Sequence, residues 1–266
     1  MDILSYTFFQ YALAGVLLVS LASAVVGTLV VARRMVLVTG GITHACFGGL
    51  GLGFYAGVNP LLPAAVVAVA SALGIEWMSA RGNVRQDSAT GVLWALGMAL
   101  GTIFIFLTPG YVPELTSFLF GNILTITATD LAVMAAFVAA LLAGLAVGHR
   151  YVVACAFDSD FAATQGIPVR TVNALMTVAI AITVVLTIRL IGIMLLMSLF
   201  TIPQMIAETA TRRLSRIMWV SALVSVACSV AGLLLSALVE VPASATIVLL
   251  LIACYVVARI TQAVKS

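Results

Sequence analysis

Residues 39–57, TGGITHACFGGLGLGFYAG, place one of only two histidines in an apolar segment crowded with glycine. On an α-helix Gly40 lies one turn before His44 and Gly48 one turn after, so nothing bulky flanks the imidazole on its own face. A second row, Gly41, Ala45, Gly49, Gly53 and Gly57, recurs at helical spacing and lets another helix approach closely. An ionisable ring in hydrocarbon needs a partner, because a charged side chain there costs on the order of several kcal/mol.

Hydrophobic residues make up 64% of the 266-residue chain and charged residues 8%, with a mean hydropathy of +1.26. A soluble domain carries about 25% charged residues, so the composition excludes that class and implies an all-α, polytopic integral membrane bundle. A closed β-barrel would instead alternate over segments of about 10 residues, which the long runs here exclude. Each helical crossing takes about 20 apolar residues. Runs fall at about 11–32, 36–57, 61–80, 89–108, 128–148, 173–190, 191–210, 217–239 and 243–260. This predicts nine transmembrane helices, or eight if the two short runs beside Arg189 act together, in one transmembrane domain over residues 1–266. The bilayer is the expected solvent, and no nucleic-acid partner is expected.

With nine crossings, Arg33, Arg34, Arg81, Arg85, Arg150, Arg170, Arg212, Arg213, Arg216, Arg259 and Lys265 all share one side. Asp2, Glu114 and Glu240 mark the other, and Arg189 alone falls elsewhere. The positive-inside rule then puts the N-terminus outside and the C-terminus in the cytoplasm. The start, MDILSYTFFQ, lacks the basic region of a secretory signal, so the first run is expected to be a retained span. Cys46, Cys155, Cys228 and Cys254 are scattered and read as packing residues rather than disulfide partners.

Three connections carry information. Residues 108–124, TPGYVPELTSFLFGNIL, form an outer connection that either dips into the membrane surface or is an ordinary loop. Asp87 is placed to cap the helix that follows it. Residues 149–170, HRYVVACAFDSDFAATQGIPVR, form the longest connection. In it Asp158 suits an N-cap, residues 159–165 make about two turns, Gly166 suits the position just past the helix, and Pro168 stops continuation. This predicts a short cytoplasmic helix in the segment 150–171, suited to docking another protein. Asp130 reads as a helix cap, and His149 as an interfacial residue.

These stretches support a resemblance. RRMVLVTGGITHACFGGLGLG resembles the second-helix signature of permease subunits of bacterial ABC importers for zinc, manganese and ferrous iron. DSATGVLWALGMALGTIF, SFLFGNIL, FDSDFAATQGIPVR, IGIMLLMSLFTIPQMIAETATRR and GLLLSALVEVPASATIVLL follow in that family's order. The resemblance implies a subunit of the bacterial cytoplasmic membrane, paired with a second copy of itself or a paralogous permease. It implies a metal-binding protein outside, two ATPase subunits inside, no resident cofactor, and a divalent metal ion as cargo. The chain lacks the G-x-x-x-x-G-K-[ST] phosphate loop and so cannot cradle ATP by that means; the resemblance implies a transport subunit rather than an enzyme, with ATP hydrolysis on a separate ATPase chain. Asp158, Ser159, Asp160, Ala163 and Gly166 would then belong to the helix that couples to the ATPase.

For the metal, family members commonly carry an acid four residues before the histidine, where this chain has Gly40. His44 remains as a ligand, with Glu240 as its candidate companion, and Gly40, Gly48, Gln204 and Glu208 are candidates along the path. Glu240 also reads as a solvated loop acid, and Glu208 as a helix-end acid paired with Arg212. Proline at 203 is expected to free backbone carbonyls that line a polar path. Cys46, Met194, Met197 and Met205 read as soft ligands or as core packing. Losing a carboxylate tilts the expected ion from manganese toward zinc or iron. A permease for a larger chelate is disfavoured by the short chain, and a membrane metalloenzyme by the absence of H-E-x-x-H.

Overall fold

In hydrocarbon every backbone N–H and C=O must find its partner within the segment. Even the glycine-rich run that begins at Thr39, a poor helix former in water, therefore stays helical as far as Tyr55, beyond which Gly57 is left-handed at φ 67° and leaves the expected row of helical small residues. The computed structural model describes residues 6–81, 84–110, 121 and 123–265. These form α1 (Thr7–Ala32), α2 (Val36–Tyr55), α3 (Leu61–Arg81), α4 (Gln86–Leu107), α5 (Ala128–Phe157), α6 (Ser159–Thr164), α7 (Val169–Leu199), α8 (Ile202–Ala210), α9 (Leu214–Val239) and α10 (Ala243–Lys265). A 3-10 turn at Ile123–Thr125 precedes α5, and no strand occurs among the described residues. The expected outer connection at 108–124, with Glu114, lies largely outside the described residues.

Among the described residues eight helical stretches are long and apolar enough to cross a membrane, the 42-residue Val169–Ala210 counting as one. The sequence expectation of nine divided that stretch beside Arg189. The helix in fact breaks at Gly192, whose φ of 78° and ψ of 173° suit glycine almost alone. It is interrupted again between α7 and α8, where Thr201 leaves helical geometry. Gly121 packs against the Ile191–Gly192 peptide with no space for a side chain.

Two other expectations are corrected. The fifth run was expected to end near residue 148, but α5 continues to Phe157, because HRYVVACAF holds neither proline nor glycine to stop it. Asp87 does not cap α4. The cap position is Arg85, without a side-chain bond, and Asp87 sits in the first turn, where its charge complements the helix dipole.

The described residues divide into two compact units. One is drawn from Met1–Ala32, Leu115–His149 and Thr187–Ser266, the other from Arg33–Glu114 and Arg150–Leu186. In the first, α1 packs along α9, with Ser20 donating to Ser229 at 3.2 Å, and α8 packs against α9 and α10. Phe9, Leu195, Leu196, Leu199, Phe200 and Leu233 fill its core. Asp130 exchanges bonds with Thr127 at the start of α5, as expected of a cap, and lies 3.6 Å from Arg189. Arg189 thereby gains the counter-charge that the sequence did not show.

In the second unit α2 is the central helix, with α3 and α4 packed on it. Its small residues set the spacing. A Cβ on Gly48 would stand 3.0 Å from the Gly97 carbonyl oxygen, and one on Gly51 would stand 2.6 Å from that of Gly101. The two backbones meet without intervening side chains, the packing that small residues permit in membranes.

Candidate functional site

Gly40, His44 and Gly48 all lie on α2, the glycines buried and the imidazole half-buried. Three other polar side chains of α2 bond back to carbonyls three or four residues earlier. Thr39 donates to the Met35 carbonyl at 3.0 Å, Thr43 to that of Thr39 at 2.7 Å, and the Cys46 thiol to that of Thr43 at 2.9 Å. Cys46 is thus a packing residue with a satisfied thiol. His44 instead faces α4, where the Trp94 indole stacks on it with ring centroids 4.2 Å apart and planes 8° from parallel. Sequence reasoning missed Trp94, because which residue of α4 meets His44 is fixed by the interhelical register.

Glu76 was missed as well. It lies in α3, and its Oε2 accepts a 2.8 Å hydrogen bond from the fully buried Thr177 of α7. Burial lowers the pKa of the Arg33 guanidinium, in the α1–α2 turn, while the Glu76 carboxylate raises it in part. An acid inside an apolar run was the available signal.

Glu240 belongs to the other unit and ends α9. Its backbone is left-handed, at φ 57° and ψ 41°. Ser236 holds that turn, its carbonyl accepting from the Val241 N–H at 3.3 Å and its hydroxyl donating to the Val241 carbonyl at 2.5 Å. The exposed Glu240 lines a cavity of about 490 Å³ with Tyr6, Phe8, Phe9 and Pro242. A non-glycine residue held left-handed stores strain, a feature that clusters at functional positions.

Gln204 is fully buried in the same unit, and its role follows from Pro203. Proline has no N–H to offer the Leu199 carbonyl four residues earlier, and Gln204 Nε2 donates to that carbonyl instead, at 3.2 Å. The same nitrogen donates to the Ser23 carbonyl at 3.0 Å, joining α8 to α1. The freed carbonyl is therefore occupied rather than open, while Gln204 Oε1 is buried without a partner among the described residues.

Glu208 is exposed and lines a groove of about 230 Å³ with Arg212, Tyr255, Arg259 and Gln262. The expected pairing with Arg212 does not form. α8 ends at Ala210 and Thr211 is extended, so Arg212 leaves the helical face that would bring it back to Glu208. Met194 and Met205 are partly exposed. Among the described residues no three His, Cys, Asp or Glu side chains gather as metal ligands.

The short helix α6 matches its sequence signals. Asp158 caps it, its Oδ1 accepting from the N–H groups of Asp160 at 3.1 Å and Phe161 at 2.9 Å. Ser159 donates back to the Cys155 carbonyl at 3.1 Å, and Gly166 follows with φ at 75°. Ala162 is buried beneath it. Asp160 and Ala163 are exposed, as are Phe157 and Phe161, at 65% and 60%.

A family model described as the ABC 3 transport family matches residues 5–262. An uncharacterized membrane protein of Synechocystis sp. is 38% identical over 255 residues, covering 96% of this chain and 90% of that protein. The manganese transport system membrane protein MntC of Halalkalibacterium halodurans is 30% identical over 248 residues, covering 93% and 85%. The solved structure of PsaBC from Streptococcus pneumoniae in complex with Fab is similar with a TM-score of 0.85 at 25% identity, covering 96% of this chain and 92% of that one.

Proposed function

The chain belongs to the ABC 3 transport family and is a transport subunit, and from that premise we propose that it is the membrane permease of an ATP-driven importer of a divalent transition-metal ion. The observation that carries this reading is an imidazole in the central, most glycine-rich helix of a chain similar along nearly its whole length to a protein named for manganese transport. Imidazole nitrogen suits zinc and iron better than manganese, and Gly40 offers no carboxylate beside it. The cargo is zinc, ferrous iron or manganese, with the missing carboxylate tilting the choice toward zinc or iron; His44 is the ligand, Glu240 an outer acid, and Gly40, Gly48, Gln204 and Glu208 lie along the route.

The two units act as one permease domain in the bacterial cytoplasmic membrane, with the N-terminus outside and the C-terminus inside. Arg170 opens the Val169–Ala210 stretch, and Arg212 and Arg213 follow it. At 1.5 Å per residue the stretch is about 63 Å long, enough to cross a hydrocarbon core of about 30 Å twice and return those arginines to one side. The exposed aromatic face around α6 is the docking point for an ATPase subunit, and nucleotide-driven motion enters there. A second copy or a paralogous permease completes the channel, and a metal-binding protein loads it from outside.

The test is uptake of radioactive zinc, ferrous iron and manganese, each added alone, into vesicles holding the complete transporter with the ATP-bearing face accessible. ATP-dependent accumulation of zinc or iron that His44→Ala abolishes, with the complex still assembled, is the expected result. Unchanged uptake by that variant removes His44 from the path.

A further inference from the structure

The His44–Trp94 stack lies where the backbones of α2 and α4 approach most closely. α2 and α4 meet through small residues on both sides of it: Gly41 against Thr90 before the pair, and Gly48 and Gly51 against Gly97 and Gly101 after it. That seam brings the two helix backbones into close contact on both sides of the pair. Within it the imidazole and indole lie nearly parallel, with centroids 4.2 Å apart. Trp94 is 37% exposed, so it is not simply filling the core.

An imidazole binds a metal through a lone pair lying in the plane of its ring. A second ring on its face does not block that lone pair. It fixes the plane and leaves the ring edge, with its nitrogens, as the reactive side. Coordination also draws electron density from the imidazole, and an indole face attracts a positively charged group. With glycine at position 40 no carboxylate stands one turn before His44 to balance that charge.

Resting on the reading of His44 as a metal ligand, we propose that Trp94 is a positioning residue for His44. It sets the plane of the imidazole and favours the metal-bound form through its π face. Trp94 itself touches no metal, and any aromatic ring at that position serves in part.

The full chain in lipid nanodiscs tests this with zinc chloride as the probe. The chain has three tryptophans, so Trp77→Phe and Trp219→Phe leave Trp94 as the sole indole. Its emission is expected to change saturably with zinc, and His44→Ala is expected to abolish the change. By calorimetry, Trp94→Ala is expected to weaken zinc binding about tenfold and Trp94→Phe less than threefold, a difference of about 0.7 kcal/mol or more between the two variants. Zinc affinity unchanged in Trp94→Ala but lost in His44→Ala overturns the positioning role and leaves the ligand standing. Zinc affinity unchanged in His44→Ala removes the ligand reading itself. If Trp94→Ala fails to fold, the sole-indole emission and Trp94→Phe decide: an emission indifferent to zinc that still binds at His44 overturns the proposal.

Discussion

Thr177 Oγ1 donates a 2.8 Å hydrogen bond to Glu76 Oε2 across 101 positions of sequence. It joins α3 to the helix that leaves the short α6, and it gives an acid within an apolar helix a partner. Hydrogen bonds to charged groups contribute about 1.5–3 kcal/mol. Thr177→Val is therefore expected to lower stability by about that amount, and Thr177→Ser by much less. Thermal unfolding of the purified chain measures both, and a double-mutant cycle with Glu76→Gln isolates the pair.

The α2–α4 seam yields a prediction with its own control. A Cβ on Gly97 would stand 2.6 Å from the Ala45 carbonyl oxygen, whereas one on Gly91 of the same helix meets nothing within 4 Å. Overpacking costs about 1–3 kcal/mol, so Gly97→Ala should unfold at a lower temperature. Gly91→Ala should gain up to about 1 kcal/mol from helix propensity. Equal melting temperatures for the two variants would show that the helices do not meet closely.

Gln204 stands in for the N–H that Pro203 lacks. Gln204→Leu keeps the bulk, removes both donated bonds, and leaves the Leu199 carbonyl unpartnered in the core. The expected loss is about 1–3 kcal/mol, read by thermal unfolding, with slower metal uptake. Gln204→Glu, which keeps the shape but not the donors, should not recover the loss.

The cap of α6 offers a functional readout. Asp158→Ala removes two bonds to backbone N–H groups, and losing an N-cap costs about 0.5–2 kcal/mol. Gly166→Pro is incompatible with the φ of 75° there. Both variants are expected to keep ATP hydrolysis in the assembled transporter while reducing metal transported per ATP. Normal coupling in both would remove α6 from the transmission path.

Much of this was legible in order of residues. The apolar runs required helices, because a bilayer leaves backbone groups no other partner. Asp158, Gly166 and Pro168 announced α6, since capping, left-handed geometry and helix termination are local chemistry. Asp130 likewise read as a cap through its neighbour Thr127. The break in α7 was placed within two residues of where it falls, although only the fold picked Gly192 as the residue that bends.

What sequence alone determined was therefore the solvent of this protein, its helical class, the family signatures and a single imidazole set among glycines. Only the tertiary structure decided what those residues face. It chose Trp94 as the ring on His44, Thr177 as the partner of Glu76, Asp130 as the counter-charge of Arg189, and Gln204 as the substitute donor beside Pro203. The physical reason is the same in each case. Caps and helices act over a few neighbouring residues, whereas these contacts depend on the rotation and depth at which two helices meet, which side-chain packing sets and residue order does not state.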